Sequence, residues 1–371
     1  MLRKFSVTNF KNFENKLTFV LDNPANYGFN TSVVRDGVKT KGLIYGINGS
    51  GKSNLGLALF DIIIHLTDKE RIQPRYHPYM NLYSKKPVAE FEYVFEFDGS
   101  EVVYQYAKTS ATDLVSEKLM INDVEVLSYD FASRRGHVEL AGAESLQINS
   151  SLPGAKDVLS RVKLAWNNTI LQDDATNRAF ASFMSFVDRM LMFFSLDQNG
   201  YQGLIVGHGD ATQSIIQAGK LDDFERFLSS QGIDYNLIAV DVNGGQRLYC
   251  RYNGKDVPFM SVASTGTRSL ALFYHWYIMM SEASFVFIDE FDAFYHFELA
   301  EQIVSMIRDL QGPQVFLTTH NTDLMSNELL RPDAYFYLRN GSMDSLDRIS
   351  EKELRSAHNL QKMFKAGSFD G

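Results

Sequence analysis

A glycine-rich segment constrains the fold of this chain more than any other feature. The residues from Gly46 to Ser53 match the pattern G-x-x-x-x-G-K-[ST] at every fixed position. The apolar run ending at Tyr45 predicts a buried strand before it, and helical spacing of apolar residues predicts a helix over 52–66. Between a strand and a helix, such glycines let backbone N–H groups turn inward around a phosphate chain. The sequence therefore predicts a phosphate-binding loop.

The loop pattern also predicts what is bound and by which side chains. We expect Lys52 to contact the β- and γ-phosphates of ATP, and the hydroxyl of Ser53 to coordinate Mg²⁺. The loop residues expected around the nucleotide are Gly46, Asn48, Gly49, Ser50, Gly51, Lys52, Ser53 and Asn54. ATP and Mg²⁺ are therefore the expected ligands.

Two carboxylates follow a second apolar run. Phe285 to Ile288 predicts a strand, and Asp289 and Glu290 come directly after it. At the carboxyl end of such a strand we expect Asp289 to hold Mg²⁺ through water and Glu290 to activate the attacking water. The next predicted strand, Val315 to Thr318, leads to His320, which would lie one strand away and within reach of a γ-phosphate. With the loop lysine, Glu290 and His320 form the predicted catalytic set.

The order of predicted elements indicates an α/β fold. Residues 85–150 alternate apolar and polar positions around hairpin signals such as Asp98-Gly99, which predicts an antiparallel sheet. Residues 157–228 show helical spacing, and residues 285–339 alternate strand and helix as a parallel sheet requires. A capping box, Ser350-x-x-Glu353, predicts the start of a last helix. We therefore predict a first lobe with an antiparallel β subdomain, a helical insertion and a second lobe, over residues 1–150, 151–235 and 236–371.

Composition excludes several classes of protein. The formal net charge of −9 excludes a wholesale nucleic-acid coat, so that DNA or RNA is compatible with the chain only through a local basic patch. No run approaches the roughly 20 apolar residues of a membrane helix, and Met1 to Phe10 lacks the apolar stretch of a signal peptide. The single cysteine, Cys250, excludes an internal disulfide and fits a reducing compartment. We expect a cytoplasmic protein without a membrane partner.

The order of these motifs resembles that of ABC and SMC ATPases. Those families carry a signature loop, L-S-G-G-Q, just before the acidic strand, and residues 263–268 stand at this place. Ser264 and Gly266 match the serine and the second glycine, so the resemblance implies that they bind ATP. Thr265 and Thr267 depart from the pattern and resemble the S-S-G-T-K/R form of a prokaryotic branch of stand-alone ATPases.

Other segments are similar to the same branch, which includes OLD-like ATPases and ATPase subunits of phage-defence systems of the RloA/AbiL, PtuA and AriA types. The similar segments are Phe5 to Phe13, Tyr45 to Leu55, Asp289 to His296 and Asn359 to Gly367. Lys11 and Asn12 resemble positions that touch nucleotide in SMC-like heads. The Q-loop glutamine of the family has no clear counterpart, and Gln172 is the candidate. The resemblance implies an ABC-type P-loop NTPase head that hydrolyses ATP.

The resemblance also implies a dimer. In an ABC head the signature loop and the phosphate loop lie at opposite ends, so one chain cannot bring both to the same phosphate. Two heads related head to tail would sandwich ATP, which implies a homodimer or a higher even oligomer.

Because no nuclease-like set of acids and no metal-ligand cluster is evident in the sequence, we expect a separate effector protein, encoded nearby, to act downstream.

Two other functions stay open at this point. A DNA-repair clamp resembling RecF has a similar head and length, but usually carries L-S-x-G-Q and a paired Asp, whereas this chain has Ser-Thr-Gly-Thr and Asp-Glu. A structural module with an inactive site is disfavoured because the complete set of nucleotide-site residues is present. The sequence favours an ATPase that switches an effector in anti-phage defence.

Overall fold

The structure of the protein is a computed structural model that describes residues 1–69, 74–149, 159–195, 200–204, 211–242, 244–293 and 295–369. Its strands are β1 Leu2–Thr8, β2 Leu17–Val20, β3 Val34–Arg35, β4 Val38–Lys39, β5 Lys41–Tyr45, β6 Ala89–Phe97, β7 Ser100–Lys108, β8 Leu114–Ile121, β9 Val124–Asp130, β10 Arg135–Val138, β11 Met190–Phe194, β12 Gly200–Gly203, β13 Leu237–Val242, β14 Gly245–Tyr252, β15 Lys255–Pro258, β16 Phe285–Asp289, β17 Gln314–Thr319, β18 Tyr335–Arg339 and β19 Ser342–Ser345. Its helices are α1 Lys52–Leu66, α2 Arg161–Asn168, α3 Ala175–Asp188, α4 Ala211–Gln217, α5 Leu221–Ser230, α6 Phe259–Val262, α7 Thr265–Met280, α8 Phe297–Asp309, α9 Leu346–Ile349 and α10 Leu360–Lys365. Over these described ranges, none of the helices has the length and apolar character that a membrane crossing requires.

The central sheet has the strand order β12-β11-β16-β17-β5-β18-β19. Strands β11, β16, β17, β5 and β18 run parallel, while β12 and β19 pair antiparallel at the two edges. Parallel strands bring their carboxyl ends to one edge of a sheet. The phosphate loop, the acid pair and His320 follow the three neighbouring strands β5, β16 and β17, so they meet at that edge. The predicted α/β fold with a parallel sheet is confirmed.

The central strands are apolar throughout because both of their faces are covered. Phe285 and Phe287 of β16 belong to one hydrophobic core, whereas Val286 and Ile288 belong to another. Successive side chains of a strand point to opposite faces, so each strand serves both cores. The first core includes residues of α1, α3 and the second sheet, and the other includes residues of α5, α7 and α8.

The second sheet is antiparallel and has the order β10-β9-β8-β7-β6-β1-β2. The turn between β6 and β7 is Asp98-Gly99, with both residues at positive φ, as a two-residue hairpin requires. Asn122-Asp123 joins β8 and β9 in the same way. The predicted antiparallel sheet within 85–150 is therefore confirmed, and β1 and β2 extend it.

Helix α1 lies between the two sheets and is buried along nearly its whole length. Asp61 of this helix is buried and forms an ion pair with Lys108 of β7, with a distance of 2.7 Å between Oδ2 and Nζ. The hydroxyls of Tyr79 and Tyr106 also donate to this carboxylate, each at 3.0 Å. Burial raises the pKa of Asp61, and Lys108 opposes that shift. The helix that begins at the phosphate loop is thus bonded to the antiparallel sheet.

The segment predicted as helical, 151–235, contains strands as well as helices. Helices α2 to α5 lie within it, but α3 ends at Asp188 and Met190 begins β11, with β12 following. All five residues of β11 are buried, so this strand shows no alternation, and a short apolar run without alternation cannot be told from a buried helix. The helical prediction is wrong for 190–194 and 200–203. The predicted domain boundary at 150 falls on residues 150–158, which lie outside the described part of the chain. This boundary and the one at 235 stay predictions.

The predicted capping box does not start a helix. Ser350 follows the short helix α9, and its side-chain hydroxyl makes a local turn with the backbone of Lys352. The last helix, α10, starts later, where the side chain of Asn359 accepts the backbone N–H of Lys362. The prediction was wrong because Ser and Glu at this spacing also occur in turns, and no apolar stripe follows Glu353 directly.

The first strand of the phosphate-loop unit carries a buried lysine, which predicts a pH dependence of stability. Lys41 of β5 is 2% exposed, and its Nζ donates to the carbonyl oxygen of Pro313. Burial, and then the charge of Arg35, lowers the pKa of Lys41 to about 7. Above this pH the unfolded lysine keeps a proton that the folded one has lost, so the free energy of unfolding rises with pH up to the unfolded pKa.

We therefore expect Lys41→Met to flatten this rise. Between pH 7.5 and 9.5, the free energy of unfolding of the wild type should increase relative to Lys41→Met by about 1.4 kcal/mol per pH unit. Urea unfolding at several pH values measures the difference, and Lys85→Met, at an exposed lysine, serves as the control. Parallel pH profiles for the wild type and Lys41→Met would contradict the assignment.

Candidate functional site

The loop between β5 and α1 contains two glycines at positions with no room for a side chain. Gly51 has a φ of 107°, and a Cβ added there would lie 2.3 Å from the Nδ2 of Asn12. A Cβ on Gly46 would lie 2.3 Å from the Oγ of Ser50. Both positions therefore require glycine. The first backbone N–H groups of α1, which have no partner within the helix, lie at the end of this loop.

Lys52, the first residue of α1, is buried at the centre of the site. Its Nζ donates to the carbonyl oxygen of Gly46 at 2.8 Å and lies 2.7 Å from the Nε2 of His320. Burial lowers the pKa of Lys52, and the carboxylates of Glu290 and Asp289 oppose that shift. The lysine and the histidine predicted to act together, which lie far apart in the sequence, are in direct contact.

A threonine of the next strand joins the two predicted acids. The hydroxyl of Thr318 donates to the Oδ1 of Asp289 at 2.8 Å and accepts the backbone N–H of Glu290 at 2.7 Å. Glu290 has a φ of 49°, so the chain turns sharply as soon as β16 ends. A non-glycine residue in this conformation is strained by about 1 kcal/mol or more, and such strain is concentrated at functional sites. The Oε1 of Glu290 lies 3.7 Å from the Nε2 of His320.

Of the two neighbours Lys11 and Asn12, only Asn12 has a side chain that contacts the phosphate loop. The Nδ2 of Asn12 donates to the carbonyl oxygen of Ser50 at 2.9 Å, and its Oδ1 accepts the Nδ2 of Asn54 at 2.8 Å. The Nζ of Lys11 donates instead to the carbonyl oxygen of Pro78 at 3.2 Å. Asn12 and Asn54 therefore brace the loop, while Lys11 lies next to it and contacts a different segment.

The signature residues form the start of α7. Ser264 is the N-cap, and its Oγ accepts the backbone N–H of Thr267 at 3.1 Å. Gly266 lies in the first turn, and the Nε of Arg268 donates to the carbonyl oxygen of Ala263 at 3.1 Å. Among the described hydrogen bonds, none joins Ser264 or Gly266 to the phosphate loop of the same chain. The structure thus brings the loop, the acids and the histidine together, and leaves the signature turn separate.

Arg75 is a site residue that sequence reasoning missed. It belongs to the short 3-10 helix Pro74–Tyr76, and its guanidinium carbon lies 3.9 Å from the ring centroid of Phe194. Phe194 ends β11 and pairs with Asp289 of β16, so Arg75 is held at the acidic edge of the sheet. Burial lowers the pKa of Arg75, and the charge of Asp289 opposes this shift. No motif in the sequence marks this arginine.

Asp292 is a third carboxylate at the site. The hydroxyl of Thr319 donates to its Oδ2 at 2.7 Å. Burial raises the pKa of Asp292, whereas the Thr319 bond and the charges of His320 and Lys52 oppose that shift. Its signal in the sequence is the D-E-x-D spacing after β16, to which no separate role was assigned.

The proposed Q-loop glutamine, Gln172, lies elsewhere. It is exposed in the loop between α2 and α3, and its backbone N–H donates to the carbonyl oxygen of Ala141, just beyond β10.

The donor groups at this edge fit a nucleotide and Mg²⁺. Ser53 offers an exposed hydroxyl, and Asp289 a half-buried carboxylate whose orientation Thr318 fixes. Mg²⁺ prefers such oxygen ligands, one or two from the protein beside phosphate and water. Asn48 and Gly49 are exposed on the outer face of the loop, where a phosphate chain would enter.

Comparison with known proteins agrees with this geometry. The sequence profile of the AAA_21 family, described as "AAA domain, putative AbiEii toxin, Type IV TA system", matches residues 43–326. No curated protein sequence matches the chain.

Solved structures show the fold. An SMC head bound to the C-winged helix domain of ScpA superposes with a TM-score of 0.50 at 17% identity, over 93% of this chain and 96% of that one. The SMC head domain from Thermotoga maritima is also similar, with a TM-score of 0.44 at 16% identity, over 93% and 97% of the two chains. The first of these superpositions shows the fold, which is that of an SMC head: an ABC-type P-loop NTPase with an antiparallel β subdomain and additional helices. The profile match covers most of the chain, and the chain belongs to the AAA_21 family of P-loop ATPases.

Proposed function

We propose that the protein binds and hydrolyses ATP between two copies of itself, and that this cycle switches a partner effector in anti-phage defence. The observation that carries the proposal is the meeting of Lys52, Asp289, Glu290 and His320 at three neighbouring strand ends. No other cluster among the described residues combines a phosphate-binding loop with a cation and two carboxylates.

Each side chain of this edge has a role in hydrolysis. Lys52 and the loop N–H groups bind the phosphate chain, and His320 contacts the γ-phosphate from the next strand. Glu290 accepts a proton from the water that attacks the γ-phosphorus, and ADP leaves with the electron pair of the broken bond. Ser53 and Asp289 would hold Mg²⁺, which neutralises charge on the phosphates.

The signature turn supports a two-headed site. Ser264 is the N-cap of α7 and Gly266 lies in its first turn, and the described hydrogen bond of the Ser264 side chain to the backbone N–H of Thr267 stays within this helix start. A second copy related by a two-fold axis would bring its phosphate loop to this turn, and the first copy would do the same in return. ATP would then join the two chains, and hydrolysis would separate them.

Several large apolar side chains in the segments around the site are exposed. Ile47 of the phosphate loop is 68% exposed, and Met260, just before the signature turn, is 52% exposed. Phe297, at the start of α8, is also exposed, as are Leu82 and Tyr83 on the loop bonded to Lys11 through Asn81. Exposed apolar groups in these segments favour an interface with another protein surface, and the second head is the occupant that would also complete the site.

The role in defence rests on relatives. The family description names a toxin of a type IV toxin–antitoxin system, and the SMC head is bound to a domain of ScpA. Both favour a head that acts on another protein rather than alone. We infer a cytoplasmic ATPase of the OLD, RloA/AbiL, PtuA or AriA type, in a homodimer or higher even oligomer, with an effector encoded nearby.

Cross-linking tests the shared site. Asn48→Cys and Thr265→Cys, in a Cys250→Ser, Glu290→Gln background, would place one thiol on the loop and one on the signature turn. We choose Asn48 rather than Ser50 because the Oγ of Ser50 is buried. A short bismaleimide should join two chains only when MgATP is present.

The signature turn supplies the matched variants. Ser264→Arg should abolish the cross-link in this background, and ATP turnover in the protein that keeps Glu290, while ATP still binds to the separate head, because the change lies outside the phosphate loop. Ser281→Arg, at the other end of the same helix, should leave both the cross-link and ATP turnover unchanged. Equal cross-linking without nucleotide, or normal turnover by Ser264→Arg, would rule out the shared site.

A further inference from the structure

A run of hydrogen bonds leads from the catalytic turn to the signature helix of the same chain. The backbone N–H of Ala293 donates to the carbonyl oxygen of Glu290 at 3.2 Å, and that of Tyr295 donates to the carbonyl oxygen of Asp292 at 3.1 Å. The hydroxyl of Tyr295 then donates to the carbonyl oxygen of Ser269 in α7 at 3.2 Å. The turn after β16 is therefore tied to α7 through one phenol.

The contact falls one turn from the signature residues. The Oγ of Ser269 donates to the carbonyl oxygen of Thr265, the first residue of α7, at 3.1 Å. Ser264, the N-cap of the same helix, comes directly before it. A displacement of the catalytic turn would thus reach the signature turn through two side-chain bonds.

The helix does not need this contact for its own hydrogen bonding. The carbonyl of Ser269 lies inside α7, where a regular helix provides it with a donor four residues later. The bond from Tyr295 is an additional one, between segments that the chain brings together from the two sides of β16. Its effect is to fix the position of the signature turn relative to Glu290.

We propose that Tyr295 is a positioning residue that couples the two ATP sites of the dimer, an inference that rests on the proposed two-headed site. Each site combines Lys52 and Glu290 of one chain with Ser264 and Gly266 of the other. Because Tyr295 ties Glu290 and Ser264 within one chain, it links the two sites. Nucleotide bound at the first site sets the signature turn that completes the second.

The test removes one hydroxyl and keeps the ring. In the wild type we expect the rate of ATP hydrolysis to rise cooperatively with MgATP, with a Hill coefficient above 1 and up to about 2, the number of sites. Tyr295→Phe should lower kcat by at least about fivefold and reduce the Hill coefficient to about 1, the scale of ordinary coupling between sites. Its affinity for ATP on the separate head should equal that of the wild type.

Tyr235→Phe is the matched control, because its hydroxyl contacts the carbonyl oxygen of Val262, near the signature turn, without a bond to the catalytic turn. It should keep both the rate and the cooperativity. The coupling is overturned if Tyr295→Phe keeps both as well, or if the wild type itself hydrolyses ATP with a Hill coefficient of 1. Absence of any ATP-dependent cross-link between Asn48→Cys and Thr265→Cys, in the background that keeps Tyr295, would instead reject the shared site itself.

Discussion

Replacing Lys52 with alanine is expected to weaken the binding of ATP by about 100-fold or more, since charge-assisted bonds to phosphate are about twice as strong as neutral ones. The ammonium group lies between Gly46 and His320 and is the side-chain cation that the loop itself supplies. Backbone N–H groups would remain, but no group of comparable charge would replace it. Isothermal titration calorimetry with MgATP measures the loss directly.

Lys52 is buried, so the unliganded stability of the variant must be measured beside its affinity. A melting temperature close to that of the wild type would assign the loss to binding. Lys220 is an exposed lysine just before α5 that pairs with Asp223 in the first turn of this helix, and Lys220→Ala should bind ATP normally. If Lys52→Ala binds ATP with wild-type affinity, the loop is not the nucleotide site.

The phosphate loop could be predicted because its signal is local. Glycines at fixed spacing, an apolar run before them and a helical pattern after them all lie within 42–66, and β5 and α1 form there. The meeting of Lys52 and His320 is a longer inference. It follows from one rule, that parallel strands end at a common edge, together with the order of β16, β17 and β5.

Other parts of the site could not be predicted because their signals are not local. The burial of β11 on both faces removes the alternation that identifies a strand, so its place beside β16 was hidden. Arg75 becomes part of the site only through its contact with Phe194 at the end of β11. The bond from Tyr295 to Ser269 likewise depends on packing between α7 and the turn after β16.

Glu290→Gln is expected to bind ATP normally and hydrolyse it at least about 100-fold more slowly, the usual loss when a general base is removed. The amide keeps the size of the side chain but cannot accept the proton of the attacking water. The hydrogen bond that the backbone N–H of Glu290 donates to the hydroxyl of Thr318 does not involve the changed group, so the turn should keep its shape. Steady-state release of phosphate measures the rate, and calorimetry measures the affinity.

The contrast between binding and turnover separates a base from a structural carboxylate. Glu298→Gln, in the exposed first turn of α8, provides a change of the same chemistry close to the site and should leave the rate unaltered. Slow turnover with intact affinity should also prolong the ATP-bound dimer, so the cross-link between phosphate loop and signature turn should form in higher yield with Glu290→Gln than in the same cysteine variant that keeps Glu290. Turnover within a few-fold of the wild type would mean that another group, such as Asp292, accepts the proton.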